Sequence, residues 1–276
     1  MADDAIHVTT WDGAGPGAPR AVLVHGTMSR GTECFAAQRP LAARFRLDLP
    51  DRRGYGGSPD TPRSDYETDA EDIAALLART PGGAHLVGHS YGAVAAMYAA
   101  ARHPGPVRSL VLIEPSALRS AEAHPQVAAA LARIRGSFGP VPEDMSPEAY
   151  LTASTEPYGM PVPGFTPAML RATRTAMRER PCWDAELSLE PLAAGPYPKV
   201  VVNGTWETAH PEYRAFTGEA LAACGEFVAA RIGAAHVRIK GADHFPHRDR
   251  ADEVNRLLAD TWGAATPADR ARRGYG

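Results

Sequence analysis

The sequence has few of the features that mark secreted, membrane or nucleic-acid-binding proteins. Only three cysteines occur in 276 residues, and they form no C-x-x-C pair, so reduced and mostly buried thiols are expected. No run approaches the ~18 apolar residues that span a bilayer, and the opening MADDAIHVTTWDG lacks the apolar core of a signal peptide. The expected location is the cytoplasm.

The sequence also lacks a large excess of positive or negative charge. The formal net charge is −3, and the lysines and arginines are scattered rather than gathered on one predicted face. The basic surface of a nucleic-acid binder is therefore missing, and an anionic membrane is not indicated either. A composition of 44% hydrophobic and 22% charged residues is ordinary for a globular enzyme, so the expected partner is a small molecule.

Short apolar runs rich in valine and leucine alternate with alanine-rich segments of helical spacing. This alternation predicts an α/β fold, in which a mostly parallel central sheet is flanked by helices. The predicted strands are 6–11, 20–25, 46–49, 85–89, 107–114, 199–203 and 235–240. The predicted helices are 66–79, 90–102, 212–231 and 250–262.

One long segment, 118–191, breaks the alternation because it has frequent prolines and no good strand. A plain loop of this length is rare in a compact domain, so we expect short helices that form a helical lid. The core then comprises 1–117 and 192–265, and the polar end 266–276 is expected to be a flexible tail. The lid residues that suggest an apolar pocket are Phe138, Tyr150, Tyr158, Met160, Phe165, Met169, Met177 and Trp183.

An isolated serine stands between two glycines in LVGHSYGAVA, residues 86–95. A G-x-S-x-G match alone is weak, since roughly 0.1 such matches are expected by chance at this composition. This match follows an apolar strand and precedes an alanine-rich helix, which is the setting of a nucleophile elbow. Ser90 is therefore the predicted nucleophile.

A serine hydroxyl needs a base to take its proton. His244 follows the predicted strand 235–240, which brings it to the carboxyl edge of the sheet where Ser90 also lies. His244 is the predicted base, and His247 is its local competitor. His25 is expected to hold the loop that it opens, and His89 to pack into the turn.

Two glutamates compete to orient the base by accepting its second N–H. Glu207 follows a predicted strand end in VNGTWE, and Glu114 ends the preceding strand in LVLIEP. Either residue preserves the chain order serine, acid, histidine. Glu207 is modestly preferred, and Glu114 remains the alternative.

Acyl transfer also needs donors aimed at the developing oxyanion. The N–H of Tyr91, directly after the nucleophile, is one predicted donor. The second is expected from the loop HGTM, where the amide of Thr27 is favoured and Met28 is its neighbour.

Four motifs together resemble those of the α/β-hydrolase fold, in its serine-nucleophile, esterase-like branch with a helical cap. HGTM (25–28) is similar to the family's oxyanion loop, DRRGYGGS (51–58) to its D-x-R-G-x-G-x-S loop, GHSYG (88–92) to its elbow and GADH (241–244) to its histidine loop. The resemblance implies an eight-stranded sheet, shortened at its N-terminal side, and a scaffold role for 51–58, in which Asp51, Arg53, Gly54 and Gly56 shape the loop.

The sequence departs from the family at the acid. The family usually has aspartate at the last position of G-x-x-D, where this chain has Glu207, and haloalkane dehalogenases take their acid from the strand end that Glu114 occupies. Dehalogenases and epoxide hydrolases carry aspartate at the elbow, so Ser90 argues against their chemistry.

The predicted function is hydrolysis of a small, largely uncharged carboxylic ester, lactone or thioester through an acyl-enzyme on Ser90. No metal or redox cofactor is called for. The alternatives within the fold are an acyltransferase, a carbon–carbon bond hydrolase and a cofactor-free perhydrolase. The alternative from another class is a receptor-like ligand-binding protein with little turnover.

Overall fold

The computed structural model describes residues 5–137 and 139–263. One sheet has the strand order β1-β3-β2-β4-β5-β6-β7. Its strands are β1 Val8–Trp11, β2 Arg20–Val24, β3 Arg46–Pro50, β4 Ala84–His89, β5 Val107–Ile113, β6 Lys199–Gly204 and β7 Ala235–Ile239. β1 runs antiparallel to β3, and the other pairs are parallel. Each predicted strand is confirmed, whereas the eighth strand implied by the family resemblance is absent from the described residues.

Helices flank the sheet and follow its strands in sequence. They are α1 Gly31–Cys34, α2 Tyr66–Ala78, α3 Tyr91–Arg102, α4 Pro125–Ser137, α5 Pro147–Ala153, α6 Pro167–Ala176, α7 Glu190–Ala194, α8 Pro211–Tyr213, α9 Glu219–Ile232, α10 Pro246–Asp249 and α11 Ala251–Gly263. The helix predicted over 212–231 is divided by a π-helical turn, Arg214–Gly218, between α8 and α9. The turn lies where Gly218 packs on Trp206, since a Cβ at Gly218 would come within 2.5 Å of the indole ring.

The sheet separates two hydrophobic clusters. Val22 and Val24 of β2 face the cluster that holds α2, α3 and α9, while Ala21 and Leu23 face the one that holds α11. Alternate residues of a strand point to opposite faces, so a strand buried on both sides is apolar at every position. This explains the continuous apolar runs and confirms the predicted α/β class.

The segment 118–191 contains α4, α5, α6 and the start of α7, and no strand in its described part. Both ends of the segment pack in the core cluster that holds α9. Val127 and Leu131 of α4 lie there, as does Leu189 near the C-terminal end of the segment. Thr175 of α6 donates to the Gly54 carbonyl at 2.7 Å, so the middle of the segment docks on the loop after β3. The predicted tail 266–276 and the lid residue Phe138 lie outside the described residues.

Within the described ranges, no helix is both long enough and apolar enough to cross a membrane.

Candidate active site

The turn between β4 and α3 holds Ser90 in a strained conformation, with φ 55° and ψ −117°. Neighbouring backbone approaches so closely that only glycine fits on either side. A Cβ at Gly88 would lie 2.4 Å from the Gly92 carbonyl oxygen, and a Cβ at Gly92 would lie 2.3 Å from the Val24 carbonyl oxygen. The turn therefore places the Ser90 side chain at the carboxyl edge of the sheet.

The loop after β7 brings His244 to this serine. The distance from His244 Nε2 to Ser90 Oγ is 3.0 Å, within hydrogen-bond reach. Burial lowers the pKa of His244 well below its usual value, and the neighbouring His89 lowers it further. The imidazole is therefore held neutral, which is the form that can accept a proton from the hydroxyl.

The two predicted acids have very different surroundings. Glu114 is fully buried, and its Oε1 accepts from the Gly204 N–H at 2.6 Å and from Trp206 Nε1 at 3.3 Å. Glu207 is exposed, and the structure does not bring it to His244. The structure therefore does not support the preference for Glu207. Both glutamates follow a strand end, and that position in the chain does not indicate which of the two side chains is buried.

Two buried polar atoms close to Trp206 have no hydrogen-bond partner among the described residues. His244 Nδ1 and Glu114 Oε2 are both buried and have no hydrogen bond within the described part of the chain. Trp206 bonds Glu114, and its ring centroid lies 6.0 Å from that of His244. Burial raises the pKa of Glu114 to about 8, although the donors on Gly204, Asn203 and Trp206 oppose the shift. Such a carboxyl ionises readily only beside a cation.

Replacement of Glu114 by glutamine should change how stability depends on pH. Between an ordinary pKa of 4.5 and about 8, folded Glu114 keeps a proton that the unfolded chain has released. Stability is therefore lost as pH rises, by about 1.4 kcal/mol per pH unit for this group. Urea unfolding from pH 5 to pH 8 should show Glu114→Gln gaining on wild type at that rate. A constant difference between the two proteins would contradict the buried-carboxyl assignment.

A buried arginine holds the loop after β2 through hydrogen bonds to its backbone carbonyls. Arg52 Nε donates to the His25 carbonyl and its Nη2 to the Gly26 carbonyl, each at 3.1 Å. The C=O and N–H of a trans peptide point in opposite directions, so the Thr27 N–H points away from Arg52. The loop also lies against the nucleophile, because a Cβ at Gly26 would be 3.1 Å from Ser90 Cβ.

His25 holds this loop, as expected, rather than serving as a second base. Its Nδ1 donates to the Gly26 carbonyl at 2.7 Å, and its Nε2 accepts from the Arg52 N–H at 2.9 Å. Both ring nitrogens are thus engaged in backbone hydrogen bonds. Burial lowers the pKa of His25 well below its usual value, and the charge of Arg52 lowers it further, so the ring stays neutral.

Arg52 is itself neutralised by two carboxylates from distant parts of the chain. Its guanidinium lies 2.9 Å from Asp69 Oδ2 and 2.6 Å from Glu179 Oε1. Glu179 also accepts from Thr27 Oγ1 at 2.6 Å and from Tyr55 Oη at 2.8 Å. One carboxylate of the segment 118–191 therefore contacts both Arg52 and the loop that Arg52 pins.

Glu179→Gln should destabilise the protein by about 3 kcal/mol, since removing one partner of a buried ion pair leaves charge uncompensated. The matched control is Glu186→Gln, which removes an exposed partner of Arg119 from the same segment. That change should stay within about 0.5 kcal/mol of wild type. Urea denaturation at pH 7 measures both values, and equal effects would show that the buried network adds no stability.

A buried polar layer lies behind the elbow. His89 Nε2 donates to the His244 carbonyl at 2.8 Å, which ties the elbow to the histidine loop. Cys34 Sγ lies 3.7 Å from His89 Nδ1 and 3.6 Å from His247 Nε2, and these ligand atoms form a grouping of the kind that can hold a metal ion. His247 Nε2 also donates to the Cys34 carbonyl at 3.1 Å, so His247 packs behind the site instead of reaching Ser90.

A cavity of about 680 Å³ opens beside the elbow. Thr27, Met28 and Tyr91, the three residues predicted for the oxyanion hole, line it together with part of the segment 118–191. Of the residues predicted to line an apolar pocket, Tyr150, Tyr158, Met177 and Trp183 do so. Met160, Phe165 and Met169 do not line it, and Phe165 is half exposed.

Sequence reasoning missed several residues that the fold brings to the site. The family resemblance points to Arg53, but Arg53 forms a partly buried ion pair with Asp72, and Arg52 is the arginine that holds the loop after β2. Glu179 belongs to no motif, and 127 residues separate it from Arg52. Ser116, whose Oγ lies 3.3 Å from Ser90 Oγ, belongs to no motif either. The available signal was that Arg52, the variable position of the D-x-R-G motif, is also an arginine.

Comparison with known proteins places the chain in a family. The sequence pattern of the alpha/beta hydrolase family matches residues 21–257. The chain belongs to this family.

Individual relatives match a shorter stretch. A pimeloyl-[acyl-carrier protein] methyl ester esterase of Chromobacterium violaceum is 39% identical over 98 residues, 36% of this chain and 37% of that protein. A 2-(acetamidomethylene)succinate hydrolase of Mesorhizobium japonicum is 40% identical over 100 residues, 35% of each chain. The chain thus matches about a third of the length of these curated relatives.

Solved structures agree with the fold over nearly the whole chain. An esterase from Thermogutta terrifontis superposes with a TM-score of 0.59 at 24% identity, covering 92% of both chains. An enol-lactonase from Burkholderia xenovorans LB400 superposes with a TM-score of 0.60 at 21% identity, covering 93% of this chain and 95% of that one. At these identities the likeness supports the fold.

Proposed function

We propose that this protein is a serine hydrolase that cleaves a small, largely uncharged carboxylic ester, lactone or thioester. The observation that carries the proposal is the 3.0 Å contact between His244 Nε2 and the strained Ser90 Oγ. A neutral imidazole at this distance takes the hydroxyl proton as Oγ attacks the acyl carbon. The product of the first step is an acyl-enzyme on Ser90, which water then hydrolyses with the same base.

Two backbone donors are assigned to the oxyanion. Tyr91 is the first residue of α3, so its N–H has no acceptor within the helix. The Thr27 N–H points away from Arg52, which holds the carbonyl of the same peptide. Because Arg52 fixes that peptide before substrate arrives, this donor needs no reorganisation as negative charge develops. Met28, with φ 54°, shapes the end of the loop.

Glu114 is assigned as the acid that orients His244. Its burial, its unpartnered Oε2 and the unpartnered Nδ1 of His244, whose ring lies 6.0 Å from the Trp206 ring that Glu114 bonds, support the assignment. The imidazolium that forms when His244 accepts the Ser90 proton is a cation, and a cation favours the ionised form of this buried carboxyl, which otherwise keeps its proton up to about pH 8. Glu207 is left as a surface residue.

The substrate class follows from the cavity. About 680 Å³ suits a ligand of moderate size, and the lining includes Met28, Met177 and Trp183. The charged Glu179 in this lining is neutralised by Arg52, so it does not require a cationic substrate. The names of the relatives, an ester esterase and a succinate-derivative hydrolase, point to hydrolysis rather than to ligand binding alone.

The domain assignment is part of the same proposal. We assign 118–191 as a lid that covers the active site of a core formed by 1–117 and 192–265. Its contribution of Glu179 to the oxyanion-loop network supports this role, as do its residues in the cavity wall.

A panel of nitrophenyl esters, lactones and acyl thioesters of increasing chain length tests the proposal. Wild type should hydrolyse the uncharged esters and should be labelled at Ser90 by a fluorophosphonate, as intact mass and peptide mapping would show. Addition of alcohol or peroxide acceptors separates water from other acyl acceptors. Failure to label, with no turnover across the panel, would favour a binding protein.

A further inference from the structure

A second hydroxyl stands beside the nucleophile. Ser116 Oγ lies 3.3 Å from Ser90 Oγ, and its side chain is buried, with 8% of the residue exposed. It belongs to the turn after β5, two residues beyond Glu114. The other acceptor within its reach is the Glu114 carbonyl, at a long 3.5 Å.

The base determines which of these hydroxyls donates. Each serine has one hydroxyl proton, and Ser90 must direct its proton to His244 Nε2 at 3.0 Å for the first step. Ser90 Oγ is then available only as an acceptor toward Ser116. The proton of Ser116 therefore points at the oxygen that forms and breaks the acyl bond.

We propose that Ser116 is a further catalytic residue, which donates a hydrogen bond to Ser90 Oγ and accelerates breakdown of the acyl-enzyme. The proposal rests on the serine-hydrolase function argued above. It assigns to Ser116 a contact with a reacting atom that is separate from the base and from the oxyanion donors.

The movement of electrons in deacylation explains why the hydrogen bond from Ser116 to Ser90 Oγ accelerates that step. Water attacks the acyl carbon while His244 Nε2 takes a proton from it, which gives a tetrahedral intermediate. The bond from carbon to Oγ then breaks, its electron pair returns to Oγ, and His244 returns the proton to Oγ. Negative charge grows on Oγ as this bond breaks, so a donor 3.3 Å away stabilises the transition state.

The same hydrogen bond contributes less to acylation. Free Ser90 has a hydroxyl oxygen, which already accepts well from Ser116 in the ground state. In the acyl-enzyme, Oγ is an ester oxygen whose lone pair is delocalised into the carbonyl, so it accepts poorly until the bond breaks. Only interactions that strengthen on the way to the transition state increase a rate. Loss of Ser116 should therefore reduce kcat more than kcat/KM.

Ser116→Ala should lower kcat for a nitrophenyl ester roughly 10- to 100-fold, as expected for a hydrogen bond to a charged group. The value of kcat/KM should change less than about threefold, because it reports acylation. Stopped-flow measurement should reveal a nitrophenolate burst close to one per enzyme. Intact mass during turnover should show the acyl adduct accumulating.

Two further variants keep the test independent of folding. Ser116→Thr retains a hydroxyl and should recover most of kcat and lose the burst. Ser109→Ala removes a buried serine at the opposite end of β5, where it bonds to His85 at 2.8 Å, and should leave the ratio of kcat to kcat/KM unchanged.

Three results would overturn the role of Ser116. They are a wild-type kcat in Ser116→Ala, equal falls in kcat and kcat/KM without a burst, and failure of Ser116→Thr to recover kcat when it folds as wild type. Fluorophosphonate labelling of wild type distinguishes these from failure of the serine-hydrolase proposal. Labelled Ser90 with one of the three results rejects only Ser116, whereas an unlabelled Ser90 rejects the acyl-enzyme itself.

Discussion

Ser90→Ala is expected to lower kcat for nitrophenyl esters by about 10⁶-fold, the scale of a missing triad nucleophile. Alanine removes the oxygen that attacks the acyl carbon and leaves His244 without the proton that it abstracts. Residual turnover would come from water positioned by the cavity and the oxyanion donors. Steady-state kinetics with chromatographically pure variant measures the loss, and fluorophosphonate labelling should disappear with it.

The fold should survive this change. Alanine occupies the same turn, with φ 55°, and introduces no atom that serine lacks. Thermal unfolding within a few degrees of wild type is the control. Retained hydrolysis by a folded Ser90→Ala protein would place the nucleophile elsewhere.

Glu114→Gln should lower kcat by about 10⁴-fold, because the amide no longer supports the tautomer and the charge that His244 needs. The matched control is Glu207→Gln, which makes the same chemical change at the other predicted acid. Its side chain is exposed, so kcat should stay within about twofold of wild type. Both variants are compared with one ester at pH 7.5, after native-like circular dichroism has been established.

The reverse pattern would return the acid to Glu207. Equal small effects would mean that neither glutamate orients the base. The two variants thus separate the alternatives that chain order alone left open.

The sequence was sufficient for the strands and for the contact between nucleophile and base. A short run with apolar residues on both faces, such as that of β4, is typical of a parallel strand that is buried on both sides of the sheet. Ser90 directly follows β4, whereas His244 lies five residues after β7, a strand with exposed residues. The carboxyl ends of these parallel strands meet at one edge of the sheet, which accounts for the 3.0 Å contact between the two side chains.

The acid could not be chosen in the same way. Glu114 and Glu207 both follow strands that end at this edge, so the chain order is satisfied by either. What distinguishes them is depth, which depends on the backbone turn beyond each strand. Glu114 has φ 49° and Trp206 has φ 61°, and neither conformation is signalled by a glycine. After β6, the Trp206 side chain is therefore buried, and the Glu207 side chain, the preferred acid, is exposed.

Buried charge was equally hidden. Arg52 and Arg53 are adjacent, yet Arg52 is 3% exposed and Arg53 pairs with Asp72 near the surface. One of the two carboxylates that neutralise Arg52 comes from Glu179, 127 residues later. No local spacing links two residues so far apart, and without an alignment their partnership becomes visible only in the folded chain.

The pairing of Arg52 with Glu179 also limits which part of the segment 118–191 is free to open. Swinging α6 and the residues that follow it away from the core would leave a desolvated guanidinium with Asp69 as its only carboxylate, at a cost of several kcal/mol. The stretch from 139 to 166 makes no such contact with Arg52, although Tyr150 and Tyr158 line the cavity. Under the lid assignment proposed above, we therefore expect substrate to enter past α5 rather than past α6.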